Sequence, residues 1–129
     1  MDKSREKTMI LVVDDDEDVL ELFALNLSLL GFDALLASAA AQALQYYRDT
    51  GPDIVAVIVD LNFPGGNGRD LLQAIRALDP AARVIVCSGD SAAPEMCQPE
   101  RFGFDAALEK RFDRERMAAL LQNIMGQGH

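Results

Sequence analysis

Five short apolar runs, each followed by a longer or more polar stretch, constrain this chain more than any other feature. The runs are residues 9–14 (MILVVD), 33–37, 53–60 (DIVAVIVD), 82–88 (AARVIVCS) and 106–109. The third and fourth carry β-branched residues at successive positions, the pattern of a strand buried on both faces. Between them, residues 17–30, 39–48, 69–78 and 114–125 read as helices, and a further short helix is expected just before Gly103. Gly31 closes the first helix, because glycine tolerates the left-handed conformation past a helix end. Gly51-Pro52 stops the second. Residues 61–68 read as a loop, and residues 89–99 are too rich in turn formers to assign. Alternating strands and helices with doubly buried strands predict an α/β fold, a doubly wound parallel sheet with helices on both faces.

Composition narrows the function. The chain has 129 residues, half of them hydrophobic and 26% charged, which suits one globular domain. A net charge of -9 argues against nucleic acid or an anionic membrane surface as partner, since either would be repelled. No apolar run is long enough for a membrane span, and the apolar segment after Thr8 is too short for a signal-peptide core. Two cysteines, Cys87 and Cys97, make neither a disulfide framework nor a metal cluster. A cytoplasmic location and no membrane insertion are the expectation. The domain is expected to run over residues 9–126, between a disordered or extended tail at 1–8 and a short tail at 127–129.

Ligands of a doubly wound sheet bind beyond the carboxyl ends of its strands. Here those ends carry Asp14-Asp15-Asp16, then Asp60, then Ser88-Gly89-Asp90, then Lys110. Crowded carboxylates repel one another unless a cation sits among them. Hard oxygen ligands suit Mg²⁺, which takes one or two carboxylates together with phosphate oxygens. A carboxylate beside such a metal, with a lysine and a hydroxyl nearby, can act as nucleophile toward a phosphoryl group.

On these residues the chain resembles a response-regulator receiver domain, from about Met9 to Met125, with a flavour of the receivers found in hybrid histidine kinases. The stretch IVDLNFPGGNG carries the acceptor pattern through Asp60, Pro64 and Gly68. The resemblance implies a flavodoxin-like five-stranded sheet in the order 2-1-3-4-5. It makes Asp60 the phosphoacceptor in a two-component phosphorelay. Mg²⁺ would be held by Asp15, Asp60 and the backbone carbonyl of Asn62, with Asp14 acting through water. Lys110 and Ser88 would contact the phosphoryl oxygens. Asn62 and Asp90 would flank the water that later removes the group. The donor would be a histidine kinase or a histidine phosphotransfer protein, and a homodimer is a further option. Self-catalysed transfer and autodephosphorylation at Asp60 would be the only chemistry, so the chain would not be an enzyme in its own right.

Other readings fit less well. A haloacid-dehalogenase-like phosphatase needs a second aspartate where this chain has Asn62, and a dinucleotide binder needs glycines after the first strand. A degenerate receiver, binding proteins regardless of phosphorylation, is the alternative, although every key position is filled. Two positions depart from the family pattern. Arg111 follows Lys110 where proline with a cis bond is common, and a cis bond before a non-proline residue costs about 2.5–4 kcal/mol, so a trans bond is expected here. Ala107 stands where the family has a switch aromatic. On the first helix, Leu20, Phe23, Ala24 and Leu27 form the core stripe, while Val19, Leu22 and Leu29 mark a second apolar face suited to a phosphodonor partner.

Overall fold

The computed structural model describes residues 8–63 and 66–126, so both expected tails (apart from Thr8) and Pro64 of the acceptor pattern lie outside the described residues. The chain runs β1 (Met9–Val13), α1 (Glu17–Leu29), β2 (Asp33–Ala37), α2 (Ala40–Thr50) and β3 (Ile54–Asp60). It continues through a hairpin of β4 (Asn62–Phe63) and β5 (Gly66–Asn67) into α3 (Gly68–Leu78), β6 (Val84–Ser88) and α4 (Pro94–Cys97). The 3₁₀ turn Pro99–Phe102, then β7 (Ala106–Glu109) and α5 (Arg114–Met125), complete it. The main sheet is parallel, in the order β2-β1-β3-β6-β7. Counting only its five strands, this is the expected 2-1-3-4-5.

Two-residue alternation along the strands builds two cores. Leu11, Val13, Val57, Val59, Val84 and Val86 face one side, against Tyr47 of α2 and Leu71, Leu72 and Ile75 of α3. Ile10, Val12, Ala56, Ile58, Ile85 and Cys87 face the other, against Phe23 and Leu27 of α1 and Met117, Leu121 and Ile124 of α5. Helices cover both faces, which explains why the central strands are apolar at nearly every position. Gly31 takes φ 93°, the left-handed turn expected of it after α1. Among the described residues no helix is long and apolar enough to cross a membrane.

Three sequence expectations need correction. The loop at 61–68 holds the short antiparallel hairpin, pairing Asn62 with Asn67 and Phe63 with Gly66. The fourth strand starts at Val84, because Ala82 and Arg83 still belong to the turn anchored on Asp79, whose carbonyl accepts from the Ala82 N–H. Val19 is not part of an exposed face; it packs half-buried on the second core, while Leu25 joins Leu22 and Leu29 in solvent.

Candidate functional site

The carboxyl ends of β1, β3, β6 and β7 are locked together by backbone bonds, so their terminal side chains share one edge. Val13 of β1 pairs with Val59 of β3, the Leu61 N–H donates to the Cys87 carbonyl (2.8 Å) and the Lys110 N–H to the Ser88 carbonyl (3.1 Å), while the Asp14 N–H donates to the Ala37 carbonyl at the end of β2 (3.0 Å). Asp14, Asp60 and Ser88 are nearly inaccessible polar side chains, and each of the three ends a strand or immediately follows one.

Lys110 organises the carboxylates. Its Nζ lies 3.0 Å from Asp14 Oδ2 and 3.3 Å from Asp60 Oδ2. The other oxygen of each carboxylate accepts a backbone donor: Asp14 Oδ1 from the Asp16 N–H (2.9 Å), Asp60 Oδ1 from the Asn62 N–H (3.3 Å). The Lys110–Arg111 bond is trans, as is every peptide bond among the described residues, and the ammonium reaches both carboxylates with that geometry. Burial and the neighbouring Asp14 charge push the Asp60 carboxyl above the usual range, with Lys110 and the Asn62 N–H pulling the other way. Burial lowers the Lys110 pKa, but the hydrogen bond to Asp14 and the charge of Asp60 outweigh it, and the net shift is upward. The lysine therefore stays protonated.

The acidic triplet after β1 divides its work. Asp14 pairs with Lys110, Asp15 is exposed, and Asp16 caps α1 by accepting from the Asp18 and Val19 N–H groups. Asp14, Asp15 and Asp60 each present an oxygen within 4.8 Å of the others'. Such an all-oxygen set suits a hard ion such as Mg²⁺, which keeps several waters, so Asp15 and Asp60 would hold it directly and Asp14 through a bound water. Asn62 is exposed beside it. Ser88 Oγ accepts from the Asp90 N–H at 3.0 Å, which fixes the oxygen and leaves its own proton free to donate outward. The Asp90 carboxylate is exposed and takes the Ala92 N–H, so it serves a turn. Cys87 lies just beneath, but burial pushes its thiol up to about 12, and it is packing rather than a nucleophile.

All six residues expected from sequence (Asp14, Asp15, Asp60, Asn62, Ser88 and Lys110) thus meet at one edge. Sequence reasoning missed a neighbouring set. Arg69, the second residue of α3, reaches Glu95 of α4 at 3.3 Å, and its guanidinium lies 5.1 Å from the centre of the Phe102 ring. The only signal was a glutamate inside a stretch of turn formers.

The chain is similar to the transcriptional regulatory protein PrrA of Mycobacterium leprae, 33% identical over 125 residues, covering 97% of this chain and 53% of that protein. It spans about half the length of the curated relatives it matches. A response regulator receiver domain protein from Clostridium thermocellum superposes with a TM-score of 0.85 at 24% identity, over 93% of this chain and 95% of that one. A chain of the CheX–CheY–BeF3–Mg²⁺ complex from Borrelia burgdorferi does so with a TM-score of 0.77 at 26% identity, over 92% and 87%. The family model for the response regulator receiver domain matches residues 10–122, and the chain belongs to that family.

Proposed function

We propose that Asp60 is the phosphoacceptor of this receiver domain, taking its phosphoryl group from a phosphohistidine on a histidine kinase or phosphotransfer protein. A carboxylate oxygen of Asp60 attacks phosphorus in line, the P–N bond to the imidazole breaks, and the imidazole leaves with the electron pair. Asp15, Asp60 and the Asn62 carbonyl would hold Mg²⁺, with Asp14 behind a bound water; the ion would neutralise charge on the phosphoryl oxygens. Lys110 donates to one phosphoryl oxygen and Ser88 to another. Hydrolysis of the acyl phosphate at the same edge returns the carboxylate, so the domain turns over only its own modification.

The observation that carries this reading is the single ammonium shared by two buried strand-end carboxylates, beside a pinned hydroxyl. The similar chain from Borrelia burgdorferi comes from a CheX–CheY complex that contains BeF3 and Mg²⁺, which supports the reading. Intact-mass measurement after incubation with acetyl phosphate tests it. Wild type should gain one phosphoryl group when Mg²⁺ is present and none when it is chelated. Equal labelling of Asp60→Asn would refute the assignment.

The donor's docking face is proposed on α1. Leu22, Leu25 and Leu29, at successive turns, are 47%, 58% and 59% exposed, and the N-terminal end of the helix lies beside Asp15. An apolar stripe on the solvent side of a surface helix marks a partner site. Leu22→Glu should slow transfer from the cognate kinase roughly ten-fold or more, the loss expected of a central apolar contact. Labelling by acetyl phosphate and the melting temperature should not change. Parallel loss in both reactions would assign Leu22 to the fold instead.

A further inference from the structure

Glu95 is a carboxylate nine-tenths buried whose cationic partner is Arg69, 3.3 Å away. The two come from segments that flank the acceptor on either side. Arg69 follows Gly68, whose backbone is pressed against the Asp60 carbonyl and whose N–H donates to the Leu61 carbonyl (2.8 Å). Glu95 sits in the four-residue α4, reached from Ser88 through a turn held on Ser88 Oγ by the Asp90 N–H. Arg69 also covers Phe102, so one guanidinium fastens both α4 and the following 3₁₀ turn to the start of α3.

Arg69 and Glu95 line a polar groove of about 570 Å³ that also includes Asn62, next to the acceptor. With Mg²⁺ held there, the edge would balance before modification: Asp14, Asp15 and Asp60 would face Lys110 and one divalent ion. Turning a carboxylate into an acyl phosphate adds about one negative charge at physiological pH. Lys110 already engages the acceptor, and Arg69, a half-exposed, long side chain lining the same groove, is a second cation able to turn toward that charge. Drawing it away strands Glu95 as a buried carboxylate without a counter-ion, a state that burial strongly disfavours. The segment carrying Glu95 then has to move toward water.

We propose that the Arg69–Glu95 bridge is a latch that holds α4 and the Pro99–Phe102 turn in the unmodified protein and opens when the phosphoryl group competes for Arg69. This rests on Asp60 being the acceptor. It supplies a route from the acceptor to α4 in a chain whose β7 carries Ala107, too small to swing between positions.

Hydrogen exchange of the Met96, Cys97, Gln98 and Phe104 amides, all bonded within this segment, reads the latch directly. In unmodified protein, Arg69→Gln and Glu95→Gln should each speed their exchange roughly ten-fold or more, and the double variant no more than Arg69→Gln alone, because the bridge is shared and the Phe102 contact is already lost with Arg69. Arg69→Lys, which keeps the charge, should restore part of the protection. Wild type treated with acetyl phosphate and Mg²⁺ should match the variants, with phosphoryl occupancy taken from intact mass of the same samples. Unchanged exchange in the single variants, additive effects in the double, or a fully phosphorylated wild type that stays protected would overturn the latch. A sample that never gains mass would instead refute the acceptor assignment, while the variants still decide whether the tie exists.

Discussion

Replacing Lys110 with alanine is expected to slow phosphoryl transfer to Asp60 by about 100- to 1,000-fold, the usual loss when one preorganised charged donor is removed from a reacting oxyanion. The ammonium stands 3.0 Å from Asp14 and 3.3 Å from Asp60, so it already occupies the place where phosphoryl charge would develop. Two further changes distinguish this role from a generic surface charge. Without Lys110, two nearly inaccessible carboxylates lose their counter-ion. Removing one partner of a fully buried pair costs about 3–5 kcal/mol, and the partly exposed lysine should bring the metal-free protein somewhat less than that. Mg²⁺ affinity should rise, because a competing cation has left the carboxylates. Added Mg²⁺ should therefore recover much of the lost stability, but not the transfer rate. Acetyl phosphate labelling followed by mass, thermal melts with and without Mg²⁺, and calorimetric titration of the ion check the three together. A rate within a few-fold of wild type would remove Lys110 from the mechanism.

The parts of this site that were legible in the sequence share one property: each is fixed by the end of a strand of the parallel sheet. Asp14, Asp60 and Ser88 stand at the ends of apolar runs buried on both faces, which leaves no freedom of register, Lys110 follows the half-buried edge strand β7, and a parallel sheet must bring such ends together. What was not legible depends on geometry between segments distant in sequence. Arg69 and Glu95 are 26 residues apart, and nothing in the local pattern around Glu95 announces a helix. Pro94 and Pro99 bracket α4 and hold it to four residues, so no apolar period could develop. The hairpin of β4 and β5 was hidden for a similar reason, since two-residue strands carry no alternation to read. On α1 the core stripe through Leu20, Phe23 and Leu27 is legible, but Val19 belongs with the core rather than with the exposed face, and Leu25 adds to that face without having been singled out. The second core reaches around the helix far enough to take in Val19, and that depends on how α1 and its neighbours lean together.

Gly68→Ala should be the most damaging single-methyl change near the acceptor. A Cβ at this position would stand 2.8 Å from the Asp60 carbonyl oxygen, and 3.2 Å from both Leu61 Cα and Val59 Cγ1. The first of these is backbone at the end of a central strand, already bonded into the sheet, so it cannot turn aside as a flexible side chain would. Overpacking of this kind costs about 1–3 kcal/mol, and here relief requires either Asp60 or the first turn of α3 to shift. Either movement disturbs the acceptor. The Gly68 N–H also holds the Leu61 carbonyl at 2.8 Å, so displacement of the helix start pulls on the loop that supplies the Asn62 donor to Asp60. The variant is expected to melt several degrees lower and to label with acetyl phosphate at least ten-fold more slowly, as sub-ångström misplacement of a reacting group commonly causes. Gly89 provides the control. It adjoins Ser88 at the same edge, yet an added Cβ there meets nothing within 4 Å. Gly89→Ala should leave the melting temperature close to wild type. If Gly68→Ala behaves like Gly89→Ala in both measurements, the acceptor strand has slack that this packing denies, and the close approach of α3 to Asp60 does not position the carboxylate.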